Sequence, residues 1–159
     1  MAQKENQGFN DHGEGKKMTI QAILQGRDGV IFSCTAEHSV AEAVAILAEK
    51  RIGALPVLDG DRVAGIFSER DVLHCIQNFG SAAMDKRVAD VMTADVISAD
   101  LKKSAIGALS LVTKRRIRHL PVVEDGKLVG FVSIGDLVKY RIDKIEGEAA
   151  AMRDYIQSA

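Results

Sequence analysis

The chain has no tryptophan, two prolines and two cysteines, and aromatic residues make up only 4% of its 159 positions. Two cysteines cannot build a disulfide framework, and Cys34 and Cys75 show neither a CxxC pair nor Cys/His ligand spacing. Both lie in apolar periodic segments, which reads as reduced core thiols of a cytoplasmic protein. An excess of one charge is also missing: 21 basic side chains face 22 acidic ones, a formal net charge of −1. That balance argues against a protein that coats nucleic acid or an anionic membrane. No hydrophobic run approaches the ~20 residues of a membrane span, so the chain is expected to be soluble. The opening "MAQKENQGFNDHGEGKK" is polar and glycine-rich, without the apolar centre of a secretory signal. Residues 1–17 are expected to form a mobile, non-catalytic tail.

Signatures of chemistry are lacking too. No histidine–carboxylate or cysteine cluster has metal-ligand spacing, and no phosphate loop of the GxxxxGK(S/T) kind occurs. Ser68 has no nucleophile-elbow context. The expectation is no catalytic set, no metal and no enzyme.

What is present is a repeat. Hydrophobic residues make up 47% of the chain, enough for one compact domain or two small halves sharing a core. Shifting the sequence by 65 residues superposes Ser33 on Ser98, Ser39 on Ser104, Pro56 on Pro121, Gly65 on Gly130, Ser68 on Ser133 and Asp71 on Asp136. No gap is needed from Ile31 to Ile76. Many of these matches are punctuation residues rather than common aliphatics. A repeated period signals one supersecondary unit made twice, each copy burying its apolar face against the other. The halves are assigned to residues 18–80 and 83–143, with a helical extension at 144–159.

Each half has the same grammar. A short strand ("VIFS", "DVIS") precedes an amphipathic helix opened by Ser39 or Ser104. The buried stripes are expected at Val40, Ala43, Val44 and Leu47, and at Ala105, Ala108, Leu109 and Val112. A strand ("ALPVL", "HLPVV"), an Asp-Gly turn and a return strand ("VAGIF", "LVGFV") form a hairpin. A closing helix follows, giving β-α-β-β-α twice.

The return strand meets the closing helix at "GIFSERD" and "GFVSIGD". A helix start offers unpaired N–H groups and a positive dipole end, which suits a phosphate. A carboxylate in the first turn can accept hydrogen bonds from vicinal ribose hydroxyls. Standing alone, either Ser-x-x-Asp pair is explained as a helix cap. Its repetition at one offset is what calls for a second role. The basic run "KRRIRH" at 114–119 divides similarly: Lys114 and Arg115 suit a solvated helix C-terminus, whereas Arg118 and His119 begin a strand and can face a cleft.

The stretches "LPVLDGDRVAGIFSERD" and "HLPVVEDGKLVGFVSIGD", with the preceding "VADVMTADVIS", resemble a tandem pair of cystathionine-β-synthase (CBS) domains, the arrangement called a Bateman module. The resemblance covers nearly all of residues 18–143. It implies an α/β fold of two repeats packed pseudo-symmetrically through their sheets. Clefts between the repeats would bind adenosine-containing ligands as a regulatory signal. The resemblance implies one site with Ile31, Ser33, Arg118, His119, Ser133 and Asp136. A second would combine Val96 and Ser98 with Ser68, Arg70, Asp71 and Arg116. In each, the serine of the first strand borders the adenine pocket and the aspartate of the other repeat holds the ribose. Arginine can grip phosphate bidentately, so AMP is the first expectation, with ADP, ATP or NAD(H) open and S-adenosylmethionine conceivable. Both sites are expected to be usable, the first slightly ahead.

The implied function is a stand-alone module reporting energy or redox state to an unidentified regulated protein. An accessory subunit or enzyme of nucleotide metabolism is the alternative. A nucleic-acid binder using 114–119 is a further alternative, disfavoured without interleaved aromatics. Beyond Asp136, Leu137, Ile142, Ile145, Ala149, Met152 and Ile156 recur at helix-like intervals, with Gly147 the weak point. A terminal helix with an apolar stripe points to a homodimer.

Overall fold

The computed structural model describes residues 18–159, so the tail expected at 1–17 lies outside the described residues. A short helix α1 (Ile20–Gln25) leads through an irregular stretch to strand β1 (Cys34–Thr35). Helix α2 (Val40–Lys50), strands β2 (Ala54–Asp59) and β3 (Arg62–Ser68), and helix α3 (Glu69–Phe79) complete the first unit. A 3-10 turn (Gly80–Asp85) and helix α4 (Val88–Val91) connect to the second. That unit holds α5 (Ala105–Arg115), β4 (His119–Glu124), β5 (Lys127–Ser133) and the long α6 (Ile134–Ser158). The fold is α/β, with one sheet ordered β1-β2-β3 and another of β4-β5.

The 65-residue offset recurs in three dimensions. Ala54 pairs with Ser68 and His119 with Ser133, and the two antiparallel hairpins slip register at Val57/Leu58 and at Val122/Val123. The turns reverse through Gly60 (φ 62°) and Gly126 (φ 77°), where positive φ favours glycine. Ser39 and Ser104 cap α2 and α5 by accepting from the N–H groups of Glu42 and Gly107. On the expected stripes, Val40, Ala43, Leu47, Ala105, Ala108 and Val112 are buried, while Val44 and Leu109 are half-buried.

The first strand of each half is much shorter than "VIFS" and "DVIS" suggest. Only Cys34–Thr35 pairs with β2, in parallel, and the second half keeps a single bridge between Ala99 and Val122. Residues 30–33 and 95–98 run outside both sheets. Their consecutive apolar residues look like a strand because they line a wall, as shown below.

The two cores exchange segments. Ile20 and Ile23 pack with Ala105, Ala108, Val112, Leu120 and Val132 of the second half. Ala83 and Val88 pack with Val40, Leu47, Leu55 and Phe67 of the first. Backbone bonds fix the exchange: the Ile20 N–H donates to Lys103 O (2.9 Å) and the Ala105 N–H to Met18 O (2.8 Å). The Val88 N–H donates to His38 O (2.8 Å) and the Val40 N–H to Lys86 O (2.8 Å). The sequence boundaries 18–80 and 83–143 therefore differ from the packing boundaries. Each half's core is closed by the segment that leads into the other half. Ile20 and Val88 are fully buried, worth about 1.5–3 kcal/mol apiece.

This exchange explains the repeated glycine of the return strand. The Thr93 backbone crosses Ile66, each N–H donating to the other's carbonyl at 2.9 Å, and Met92 lies over Gly65. Leu24 lies over Gly130 in the same way. A side chain at either position would collide with the crossing segment.

Helix α6 runs unbroken through Gly147, so the closing helix and the extension are one element. No helix of the described residues is long and apolar enough to cross a membrane.

Candidate functional site: two clefts between the repeats

Each strand-to-helix corner opens on a cleft walled by both halves. The first, of about 380 Å³, brings together Ile31, His119, Ser133 and Asp136 with Arg27, Phe32, Arg51 and Phe131. The second, of about 270 Å³, brings together Ser68, Arg70, Asp71, Val96 and Arg116 with Ile66, Thr93, Asp95 and Ile97. These volumes sit at the small end of ordinary small-molecule sites.

The corners are helix caps in full. The Ser68 N–H donates to Asp71 Oδ2 at 2.8 Å, and the Asp71 N–H to Ser68 Oγ at 3.4 Å. At the other corner the Ser133 N–H donates to Asp136 Oδ2 at 2.7 Å, and the Asp136 N–H to Ser133 Oγ at 3.1 Å. Capping thus occupies Oδ2 of each carboxylate and leaves Oδ1 outside the cap. In the second cleft that oxygen, Asp71 Oδ1, accepts from the Thr93 hydroxyl at 3.1 Å. In the first, Arg27 donates to the capping oxygen Asp136 Oδ2 at 2.9 Å. Neither corner therefore presents a bare carboxylate: Oδ1 of Asp71 is shared with Thr93, and Oδ2 of Asp136 with Arg27.

Three predicted residues sit elsewhere than expected. Arg118 lines the second cleft rather than the first. Its carbonyl accepts from the Ile134 N–H at 2.8 Å, tying its backbone to the first-cleft corner as well. Ser33 and Ser98 line neither cleft. They directly precede Cys34 and Ala99, where the chain dives into the cores, and their neighbours Phe32 and Ile97 form the walls instead.

These placements make the two clefts unequal in charge. The second cleft gathers Arg70, Arg115, Arg116 and Arg118 against Glu69, Asp71 and Asp95. The first has Arg27 and Arg51 against Asp136, and its walls are aromatic. At the 65-residue offset, Phe32 and Phe131 of the first cleft correspond to Ile97 and Ile66 of the second. The first cleft is better furnished to stack a planar base, the second to hold phosphate.

Two arginines are held in an unusual backbone state. Arg51 and Arg116 end α2 and α5 with φ 54°, a left-handed cap position that normally selects glycine. Each lines one cleft. Arg51 was legible as the offset partner of Arg116. Arg27 and Thr93 come from the crossing segments, which no local pattern announces.

His119 lines both clefts and stacks on Phe131, with ring centroids 5.7 Å apart and planes at 11°. Burial lowers its pKa; nearby Glu69 and Asp136 pull the other way, and Arg118 adds to the lowering. Gly53, also shared by both clefts, leaves room for the ring: a Cβ there would stand 3.4 Å from it. No group of three or more histidine, cysteine or acidic side chains among the described residues could hold a metal ion.

The pattern of the CBS domain matches residues 29–78 and again 88–143, more than half of the chain. The chain belongs to the CBS domain family, as a tandem pair. This CBS pair is 32% identical to the CBS domain-containing protein CBSX3, mitochondrial, of Arabidopsis thaliana, across 98% of this chain and 77% of that one. A CBS-domain containing protein from Agrobacterium tumefaciens superposes with TM-score 0.75 and 32% identity, over 78% of this chain and 99% of that one. The CBS domain pair of protein MJ0100, solved in complex with 5-methylthioadenosine and S-adenosyl-L-methionine, superposes with TM-score 0.70 and 25% identity, over 80% and 98%.

Proposed function

We propose that this CBS pair is a regulatory module that binds a phosphate-bearing adenosine ligand in its inter-repeat clefts. AMP is the first expectation, ahead of ADP, ATP and NAD(H). The observation that carries the reading is the repeated capped corner. Each places a carboxylate whose second oxygen lies outside the cap, and a helix N-terminus, in a cleft with arginines of the opposite half. The adenosine compounds in the MJ0100 complex support the ligand class. The arginines favour phosphate over a sulfonium cation.

The module acts by binding a ligand differently in two arrangements of its repeats, and an unidentified partner protein reads the difference. Its role is regulatory rather than catalytic. A reducing cytoplasmic setting fits the two free, buried thiols, of which burial pushes Cys34 up to about 11.

A thermal-shift screen of AMP, ADP, ATP, NADH and S-adenosylmethionine tests the reading. A ligand at a hundredfold excess over Kd stabilises the fold by about 2.7 kcal/mol. Asp71→Ala and Asp136→Ala should each remove charge-assisted hydrogen bonds worth about 1.5–3 kcal/mol, a tenfold or greater loss at one cleft. No shift with any of the five compounds, on ligand-free protein, sinks the proposal. A preference for S-adenosylmethionine would replace phosphate recognition by cation recognition through Glu69, Asp71 and Asp95.

A further inference from the structure

Helix α6 buries Leu137 and packs Tyr140 on the second core, then runs on beyond the contacts of its own half. Another face carries Val138, Ile142, Ile145, Ala149, Met152 and Ile156, spaced alternately four and three residues apart. All six are exposed, from 40% at Val138 to 65% at Ile156. Alternating four-three spacing is the a/d seam of a coiled coil, narrower than the stripe of a helix lying on a globular core. Leu137 and Tyr140 fall outside it, so the seam is separate from the surface that anchors the helix.

We infer that α6 pairs with the α6 of a second copy of this chain as a parallel, in-register, two-stranded coiled coil. The flanking charges set the orientation. With Ile142, Ala149 and Ile156 at a, and Val138, Ile145 and Met152 at d, the g positions hold Arg141, Glu148 and the uncharged Tyr155. The e positions hold Lys139, Glu146 and Arg153. In a parallel pair each g residue meets the e residue five places on in the other helix. Arg141 then faces Glu146 and Glu148 faces Arg153, in both directions, so every such pair is attractive. Antiparallel pairing about the centre of the seam sets e against e and g against g. Glu146 would meet Glu146, Glu148 would meet Glu148, and Lys139 would meet Arg153. Gly147 takes the outermost f position, where a Cβ would have no neighbour within 4 Å, so it leaves no gap in the seam. The occupant is thus a second copy of this chain, independent of what fills the clefts.

Light scattering on the full chain is expected to give twice the monomer mass. Ile156→Cys is expected to form a disulfide-linked dimer on mild oxidation, with wild type, whose two thiols are buried, as the unlinked control. In an antiparallel pair, position 156 faces 138, and the two 156 positions lie ~27 Å apart at 1.5 Å per residue, too far to link. Arg141→Glu with Arg153→Glu should weaken the dimer about tenfold or more, as should Glu146→Arg with Glu148→Arg. Mixing the two variants should restore a dimer containing one of each. A monomeric wild type overturns the inference. So does a dimer that fails to link through position 156, or one indifferent to both charge reversals.

Discussion

Replacing Gly65 by alanine places a methyl group where two atoms already stand. A Cβ built there lies 2.7 Å from Met92 Sδ and 2.9 Å from Thr93 O. The methionine can bend away. The Thr93 carbonyl cannot, because the Ile66 N–H donates to it at 2.9 Å and the Thr93 N–H donates back to Ile66 O. Gly130 occupies the same place in the second half, but its Cβ would meet only side-chain atoms of half-buried Leu24, which can rotate. Neither glycine has positive φ. Alanine is therefore conformationally acceptable at both and gains about 0.4–1 kcal/mol by restricting the unfolded chain. Overpacking against immovable backbone costs about 1–3 kcal/mol. Gly130→Ala should come out near neutral and Gly65→Ala should lose about 1–2 kcal/mol net. At roughly 2–4 °C per kcal/mol for a chain of this size, the two melting points should differ by about 2–8 °C. Urea unfolding of ligand-free protein, with unchanged m-value, measures the difference. If Gly65→Ala matches wild type, the crossing segment does not set the glycine requirement; if Gly130→Ala is equally damaged, Leu24 yields no more readily than the Thr93 backbone.

Two further predictions use strained or buried groups at the clefts. Arg116→Gly relieves a left-handed arginine and should raise unfolding stability by roughly 0.5–1 kcal/mol while weakening nucleotide binding at the second cleft; calorimetry and denaturation on one preparation show whether the two move oppositely. His119, held by burial below its ordinary value of 6.5, takes up its proton less readily folded than unfolded. Stability is therefore fully present above that value and falls as pH drops toward the lowered folded pKa, levelling below it; His119→Gln should flatten that slope, and an unchanged slope would dismiss the histidine.

The hairpins and the capped corners were legible because each is a local device; the register slips at Val57/Leu58 and Val122/Val123 came only with the fold. A glycine turn, a serine cap and an apolar stripe act within a few residues, and the 65-residue offset read each of them twice. The exchange of α1 and α4 was not legible. It joins Ile20 to Lys103, Met18 to Ala105, Val88 to His38 and Lys86 to Val40 through backbone bonds between segments far apart in sequence. Met18 stands to Ala105 as Lys86 stands to Val40, a spacing that departs from the offset of the hairpins. Arg118 was misplaced for a related reason. Its carbonyl is bonded to one corner while the residue lines the other cleft, a placement that only the fold reveals. The seam of α6 was visible as periodicity, but its separation from the face that anchors the helix required the fold.

The exchange also says how occupancy of a cleft could be felt elsewhere. One continuous stretch closes the second core through Ile20 and Ile23, lines the first cleft through Arg27, Ile31 and Phe32, and enters the first core at Cys34. Its counterpart closes the first core through Val88, crosses β3 at Thr93, lines the second cleft through Asp95, Val96 and Ile97, and enters the second core at Ala99. A ligand held in either cleft would therefore grip a strap whose two ends are buried in different halves. Tightening one strap restrains both cores, and His119 and Gly53, which face both clefts, put the second ligand in contact with walls the first has already ordered. Ordering cost met by the first ligand need not be met again by the second, which is positive cooperativity without a large rearrangement. The aromatic first cleft and the arginine-rich second cleft would then be unequal parts of one responsive unit.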